Sequence, residues 1–306
     1  MRSVRFLVLA TSVVALSSLA NAGVFSTYNL VVTGNLQNNN QDIEGTALVG
    51  GNLSGGIVTV GNKLLPASNY LGTPVLTVGG NISNSGIHLQ AGNLVRQGSR
   101  SGTLDFNGGG SAVQSDIVSN VSSIVSSATT EIANASTYFH SLTANSIATF
   151  PTGQPAAVNY NATPSGPGNI AVFNVSAANV FNNSLIQQIN LNAGNASSIV
   201  INVSGSTVNF NTGNFASSFT TTFARSNVIW NFFEATSITL DRNFNGALLA
   251  PNAHLTNSTA IDGSVFVASF TQNGEVHLPL YGGVVPAPGS LALLGLGGLA
   301  ISRRRR

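Results

Sequence analysis

A mainly β chain, wound as an irregular right-handed β-solenoid with one long α-helix packed along its flank, is the fold the sequence predicts. Three observations carry it: short apolar runs bounded by turn residues, a Gly-Asn theme recurring through residues 28–95, and one interval whose apolar residues step at helical period. Residues 227–270 state the first most clearly. Apolar runs at 228–233, 238–240, 247–250 and 265–268 alternate with Asn, Gly, Thr and Asp, as short buried strands between tight turns do. Gly246, Asn252, Asn257 and Gly263 stand at corners that need a positive φ or a side chain bonding its own backbone, which favours a coil of stacked strands.

Composition limits the partners. Of 306 residues 7% are charged, against about a quarter in ordinary globular chains, while 43% are hydrophobic. The formal net charge is +2, but Arg2 and Arg5 lie in the first five residues and Arg303, Arg304, Arg305 and Arg306 are the last four. Between those ends five bases (Lys63, Arg96, Arg100, Arg225 and Arg242) stand against nine acids, a balance of −4. Five scattered bases cannot build a cationic track for phosphates, so nucleic acid is excluded as a partner. There is no cysteine, hence neither a disulfide framework nor a thiolate metal site, which fits an exported protein.

In chain order, Arg2 and Arg5 precede the apolar run 6–16, and Ala20-Asn21-Ala22 offers small residues where a signal peptidase reads. Residues 1–22 therefore read as a secretory signal peptide cleaved after Ala22. From 28 to 95, β-forming residues are followed by Gly-Asn at 34, 51, 61, 80 and 92, an uneven spacing that implies coils of different shape. No Gly-Lys-Ser/Thr follows, so a phosphate loop is not indicated.

The period then changes. Val113, Ile117, Val121, Ile124, Ala128, Ile132, Ala135, Phe139 and Leu142 step by three and four, predicting a helix over 111–142 with Ser111 and Gln114 as a capping box. Its opposite face is Ser, Thr and Asn, so packing rather than propensity must hold it. Unbroken, it would be about 48 Å long, the height of about ten stacked coils. The proline-rich residues 149–168 read as a surface loop, and strands resume at 170–175, 185–191, 198–203 and 207–210. Trp230 reads as core, given Ile229 and Phe232 beside it. Residues 284–301 are apolar and about 27 Å long as a helix, enough to just span a bilayer, with Arg303 to Arg306 held on the cytoplasmic side.

The motifs DIEGTALVGGNL at 42–53, IWNF at 229–232, GALLAPNA at 246–253, DGSVFVASF at 262–270 and EVH at 275–277 resemble the bacterial choice-of-anchor A domain. That resemblance implies an adhesive domain similar in shape to ice-binding β-solenoid proteins, here over residues 23–282. Residues 283–306 resemble the PEP-CTERM sorting signal read by exosortases, with Pro286-Ala287-Pro288 where the family has Pro-Glu-Pro. The implied partners are an exosortase-like processing enzyme, the inner membrane transiently through this tail, and an exopolysaccharide matrix or a surface glycan or protein ligand.

Motifs for chemistry are sparse. His88, His140, His254 and His277 are dispersed, without metal-ligand spacing, and no Gly-x-Ser-x-Gly elbow occurs. The nearest carboxylate pairs are Asp42 with Glu44 and Glu234 with Asp241; Asn38-Asn39-Asn40-Gln41-Asp42 offers oxygens but too few carboxylates for a tight calcium site. The sequence thus predicts no catalytic residue, cofactor or metal. It points to an exported, cell-surface or secreted adhesive or structural protein of a Gram-negative biofilm. An ice-binding protein and a solenoid polysaccharide-processing enzyme are the alternatives.

Overall fold

Three-residue apolar segments cannot satisfy their own backbone groups, and in this chain segments such as Leu30–Val32 and Ala47–Val49 do so against parallel neighbours from other parts of the sequence. The structure, a computed structural model, describes residues 23–154, 156–166 and 168–285. It is mainly β, with three α-helices among the described residues. Ten strands form the spine of a 14-stranded sheet: β1 (Leu30–Val32), β2 (Ala47–Val49), β3 (Pro74–Val78), β4 (Asn93–Arg96), β5 (Asp116–Val118), β6 (Ile170–Ser176), β7 (Ser198–Ser204), β8 (Val228–Asn231), β9 (Ala247–Asn257) and β10 (Val265–Gln272). Their spatial order is β5-β4-β3-β2-β1-β10-β9-β8-β7-β6, with every pairing parallel. The first half of the chain builds outward from β1. The second half starts at the far end and builds back until β10 lands against β1, with Val31 opposite Phe266.

Helices α1 (Val24–Thr27), α2 (Ser122–Ser141) and α3 (Thr222–Asn227) are all short of the 32-residue helix the periodicity suggested. At 20 residues α2 is about 30 Å long, while ten strands at about 4.8 Å span about 43 Å. The stripe fails at its start. Val113 lies in a turn and Ile117 in β5, because Asp116 is tied into the sheet by Arg96 and Arg100, whose Nε atoms lie 2.7 and 3.1 Å from its carboxylate. Gln114 caps no helix; it is buried and donates to the carbonyls of Leu89 and Gly92.

Alternation within the spine divides the core in two. Leu30 and Val32 point into the main cluster with Leu36, Val49, Val265 and Val267. Val31, Leu48, Phe266, Leu249, Ile229 and Val200 point the other way, against Ala128, Ile132, Ala135 and Phe139 of α2. Those helix residues fall four, three and four apart, one face of a helix. Where the apolar row ends at β8, amides take over. Asn231 Nδ2 donates to Asn202 Oδ1 (2.9 Å) and to the Ser136 carbonyl (2.9 Å), Ser136 Oγ donates to Asn231 Oδ1 (2.6 Å), and Asn202 Nδ2 donates to the Phe139 carbonyl (2.9 Å). The last two turns of α2 are thereby bonded to β8 through Ser136 and to β7 through Phe139.

Several spine strands, β1 and β8 among them, are followed by polar corners and two further short strands. The Gly-Asn pairs turn out to mark two interleaved corners, which is why their spacing looked uneven. At the first, Asn35 Oδ1 accepts the Asn52 N–H, Asn52 Oδ1 accepts the Asn81 N–H (both 2.8 Å), and Asn81 Oδ1 accepts the Ser99 N–H (3.0 Å). A Cβ on Gly51 or Gly80 would run into this ladder and the preceding backbone, so glycine is required there. Gly61 and Gly92, with φ of 78° and 57°, serve the other corner.

Beyond the first corner lie the strands Leu36–Asn38, Leu53–Gly55, Ser237–Leu240 and Thr207–Phe210, which flank the distal halves of β9 and β10. A third side is divided between a seven-stranded sheet, which includes Asp42–Ile43 and Val276–His277, and a four-stranded sheet of Ile147–Thr149, Ala157–Asn161, Gln188–Asn192 and Asn214–Ser217. The segment read as a proline-rich loop thus contains a strand, because Val158 and Tyr160 alternate inward into the main cluster. Trp230 is fully buried as expected, its Nε1 donating to the Asn245 carbonyl at 3.1 Å.

Candidate functional site

Polar-apolar-polar triplets line the side beyond the first corner. In Thr207-Val208-Asn209, Ser237-Ile238-Thr239, His254-Leu255-Thr256, Ser269-Phe270-Thr271, Asn35-Leu36-Gln37 and Asn52-Leu53-Ser54, the middle residue is buried and its neighbours point outward. Strand register aligns them. Asn209, Thr239, Thr256, Thr271, Gln37 and Ser54 form one row, and Thr207, Ser237, His254 and Ser269 a second, continued by Asn35 and Asn52. Side chains repeat at about 4.8 Å along a row and at about 6.6 Å between rows. Neither row contains an Asp, Glu, Lys or Arg. His254 ties the rows together, with Nδ1 2.8 Å from Ser269 Oγ and Nε2 3.4 and 3.3 Å from the hydroxyls of Thr256 and Thr271.

A charged cluster sits elsewhere, on the seven-stranded sheet where the two halves of the chain meet. His277 Nδ1 lies 2.8 Å from Asp262 Oδ1 and its Nε2 2.8 Å from Glu275 Oε2, while Arg225 reaches Asp262 at 3.3 Å. The hydrogen bond to Asp262, helped by Glu275 and by the charge of Glu44, raises the His277 pKa to about 9 against the opposing effect of burial. Burial works to raise Asp262, but the His277 bond, Arg225 and Asn243 outweigh it and its pKa is lowered. Glu44 accepts the Leu278 N–H at 2.8 Å and buried Asn29 donates to the His277 carbonyl at 2.9 Å, so the cluster clasps 29–44 to 262–278. Among the described residues no group of three or more His, Cys, Asp or Glu side chains is arranged to hold a metal ion.

Residues 21–278 match the family model described as "Putative Ice-binding-like adhesive domain". The chain belongs to this family. Residues 284–306 match the PEP-CTERM protein-sorting motif, although Ala287 stands between the two prolines. No curated protein and no solved structure matches the chain.

Within the adhesive domain, the pairs singled out for acid-base work do not converge on one site. Asp42 accepts from Asn62 Nδ2 (2.8 Å) and Glu44 from Leu278; Glu234 accepts the Gly205 N–H (2.5 Å) and Asp241 the Ser258 hydroxyl (2.8 Å). Asn38 is buried and spends its amide on Gln272 and Gln41, so the 38–42 run bonds itself. His88 lies 3.5 Å from Asp105 and His140 stacks on Phe233, centroids 3.8 Å apart. The expected peptidase positions Ala20 and Ala22, and the sorting positions Pro286, Ala287, Pro288, Arg303, Arg304, Arg305 and Arg306, lie outside the described residues. No helix among the described residues is long and apolar enough to cross a membrane.

Proposed function

We propose that the protein is an exported, non-catalytic adhesive or structural component of the cell envelope or exopolysaccharide matrix. Its domain, residues 23–282, is read as a β-solenoid interrupted by α2, with the two polar rows as its binding face. The observation that carries this reading is the register of those rows. Uncharged hydroxyls and amides repeated at a fixed spacing can engage a packed, repetitive and uncharged surface at many weak points at once, and multipoint attachment multiplies weak contacts. Membership in an adhesive family supports it, as does the PEP-CTERM motif, which is a signal for export to the surface of Gram-negative cells.

The ends are assigned accordingly. Cleavage after Ala22 yields an N-terminus at Gly23, and residues 283–306 hold the protein in the inner membrane until an exosortase-like enzyme processes the tail. Tagged protein imaged in cells with and without their exopolysaccharide tests the localisation: it should follow the matrix in the first and disperse into the medium in the second. Uniform cytoplasmic signal in both would overturn the proposal. The aligned Thr239, Thr256 and Thr271 favour ice as a second ligand surface, for which thermal hysteresis in a freezing assay is the direct test. Retention on the matrix without hysteresis decides for adhesion.

A further inference from the structure

A different side of the molecule carries a second kind of site. Four hollows of about 410, 390, 270 and 420 Å³ open around the four-stranded sheet, each near or within the usual range for ligand pockets. They are contiguous. Phe150 lines the first and second, Asn159 the second and third, and Ala157 the second and fourth. No Asp, Glu, Lys or Arg lines any of them; the walls are amides and hydroxyls interrupted by rings.

We propose that these hollows form one groove for a single chain of a linear, uncharged polysaccharide, with Phe150 as the ring on which a sugar stacks. Phe150 is 39% exposed, unusual for phenylalanine in a chain whose other rings are mostly buried, and the stacked pair Phe233 and His140 walls the same hollow. An aromatic face accepts the C–H face of a pyranose, while sugar hydroxyls both donate and accept and so need partners that do both. Amides supply that. Asn190 Nδ2 donates to Asn159 Oδ1 at 3.0 Å and Asn202 Nδ2 to Asn174 Oδ1 at 3.1 Å, leaving the N–H₂ groups of Asn159 and Asn174 without a partner among the described residues. A charged polymer would find no counter-charge along the groove. The groove thus takes one free chain, whereas the threonine rows suit a packed surface, and either can fail without the other.

Affinity electrophoresis of the full chain tests this, with soluble β-1,3-glucan, hydroxyethylcellulose or dextran in the gel and alginate as the anionic comparison. At least one neutral polymer should retard the protein and alginate should not. Phe150→Ala and Phe150→Ile should weaken that retardation tenfold or more, while Phe150→Tyr stays within twofold and Ser123→Ala, exposed on α2 and outside both the groove and the rows, leaves it unchanged. Since the ring is partly exposed, melting curves of all four variants should overlay the parent. Retardation by no neutral polymer, or Phe150→Ile binding like the parent, would overturn the groove.

Discussion

Replacing Asn231 with alanine should unfasten α2 from the sheet, at a cost readable from its bonds. The side chain is fully buried and makes three hydrogen bonds, accepting from Ser136 Oγ and donating to the Ser136 carbonyl and Asn202 Oδ1. Alanine leaves the Ser136 hydroxyl and Asn202 Oδ1 buried and unpaired, at about 1–3 kcal/mol each, beside a small void. A total of about 3–5 kcal/mol follows, which in a domain of this size lowers the melting temperature by about 10 °C. Urea denaturation followed by far-UV circular dichroism measures it. The double variant Ser136→Ala/Asn231→Leu removes the donor together with its acceptor, so it should cost less than the sum of its singles by about 1 kcal/mol or more. A cost below about 1 kcal/mol for Asn231→Ala, or strictly additive singles, would refute the idea that amides bond the end of α2 to the sheet.

Other consequences are as specific. His277 is raised from 6.5 to about 9, so its contribution is complete below pH 6.5 and is lost as pH rises through 9; after allowance for solvent screening this is about 1–2 kcal/mol. Asp262, lowered, contributes above its unfolded value and loses that contribution as pH falls through its folded one. Melting temperature against pH should therefore fall on the alkaline side, and His277→Gln should flatten that limb. Gly80→Ala would place a Cβ 2.6 Å from the Gly51 carbonyl carbon and should cost about 2–3 kcal/mol, whereas Gly153→Ala, with nothing within 4 Å, should change denaturation by less than about 0.5. Glu131 accepts the Val24 N–H at 2.9 Å and its pKa is raised by burial, so a new amino terminus at Gly23 would give it a cation. Glu131→Gln should lower the melting temperature of protein processed after Ala22 and leave that of the uncleaved chain unchanged.

Much of the strand content was legible because apolar runs such as 228–233 obey a local rule that burial enforces. The order of the strands was not. Nothing local in Leu30-Val31-Val32 says that its neighbours are Ala47-Leu48-Val49 on one side and Val265-Phe266-Val267 on the other, since parallel pairing across 235 residues depends on where α2 delivers the chain. The helical stripe was over-extended because Val113 and Ile117 share a spacing of four with the helix while Asp116 is fixed in the sheet by two arginines. The polar rows did leave a signal, the triplets with one apolar residue between two uncharged polar ones, but it becomes a face only once register is known. His277 looked isolated for a similar reason: Asp262 is 15 residues away and Glu44 more than two hundred.

The central claim is that the uncharged rows hold the protein to its matrix, and it is tested by adding purified protein to exopolysaccharide-coated cells and measuring what survives washing. Thr239→Ala/Thr256→Ala/Thr271→Ala removes three aligned hydroxyls that are partly exposed, so the fold and melting temperature should be kept. Retained protein should fall at least tenfold, because multipoint attachment is lost more than proportionally when its contacts are thinned. Retention equal to that of the parent, with the same melting curve, would contradict it.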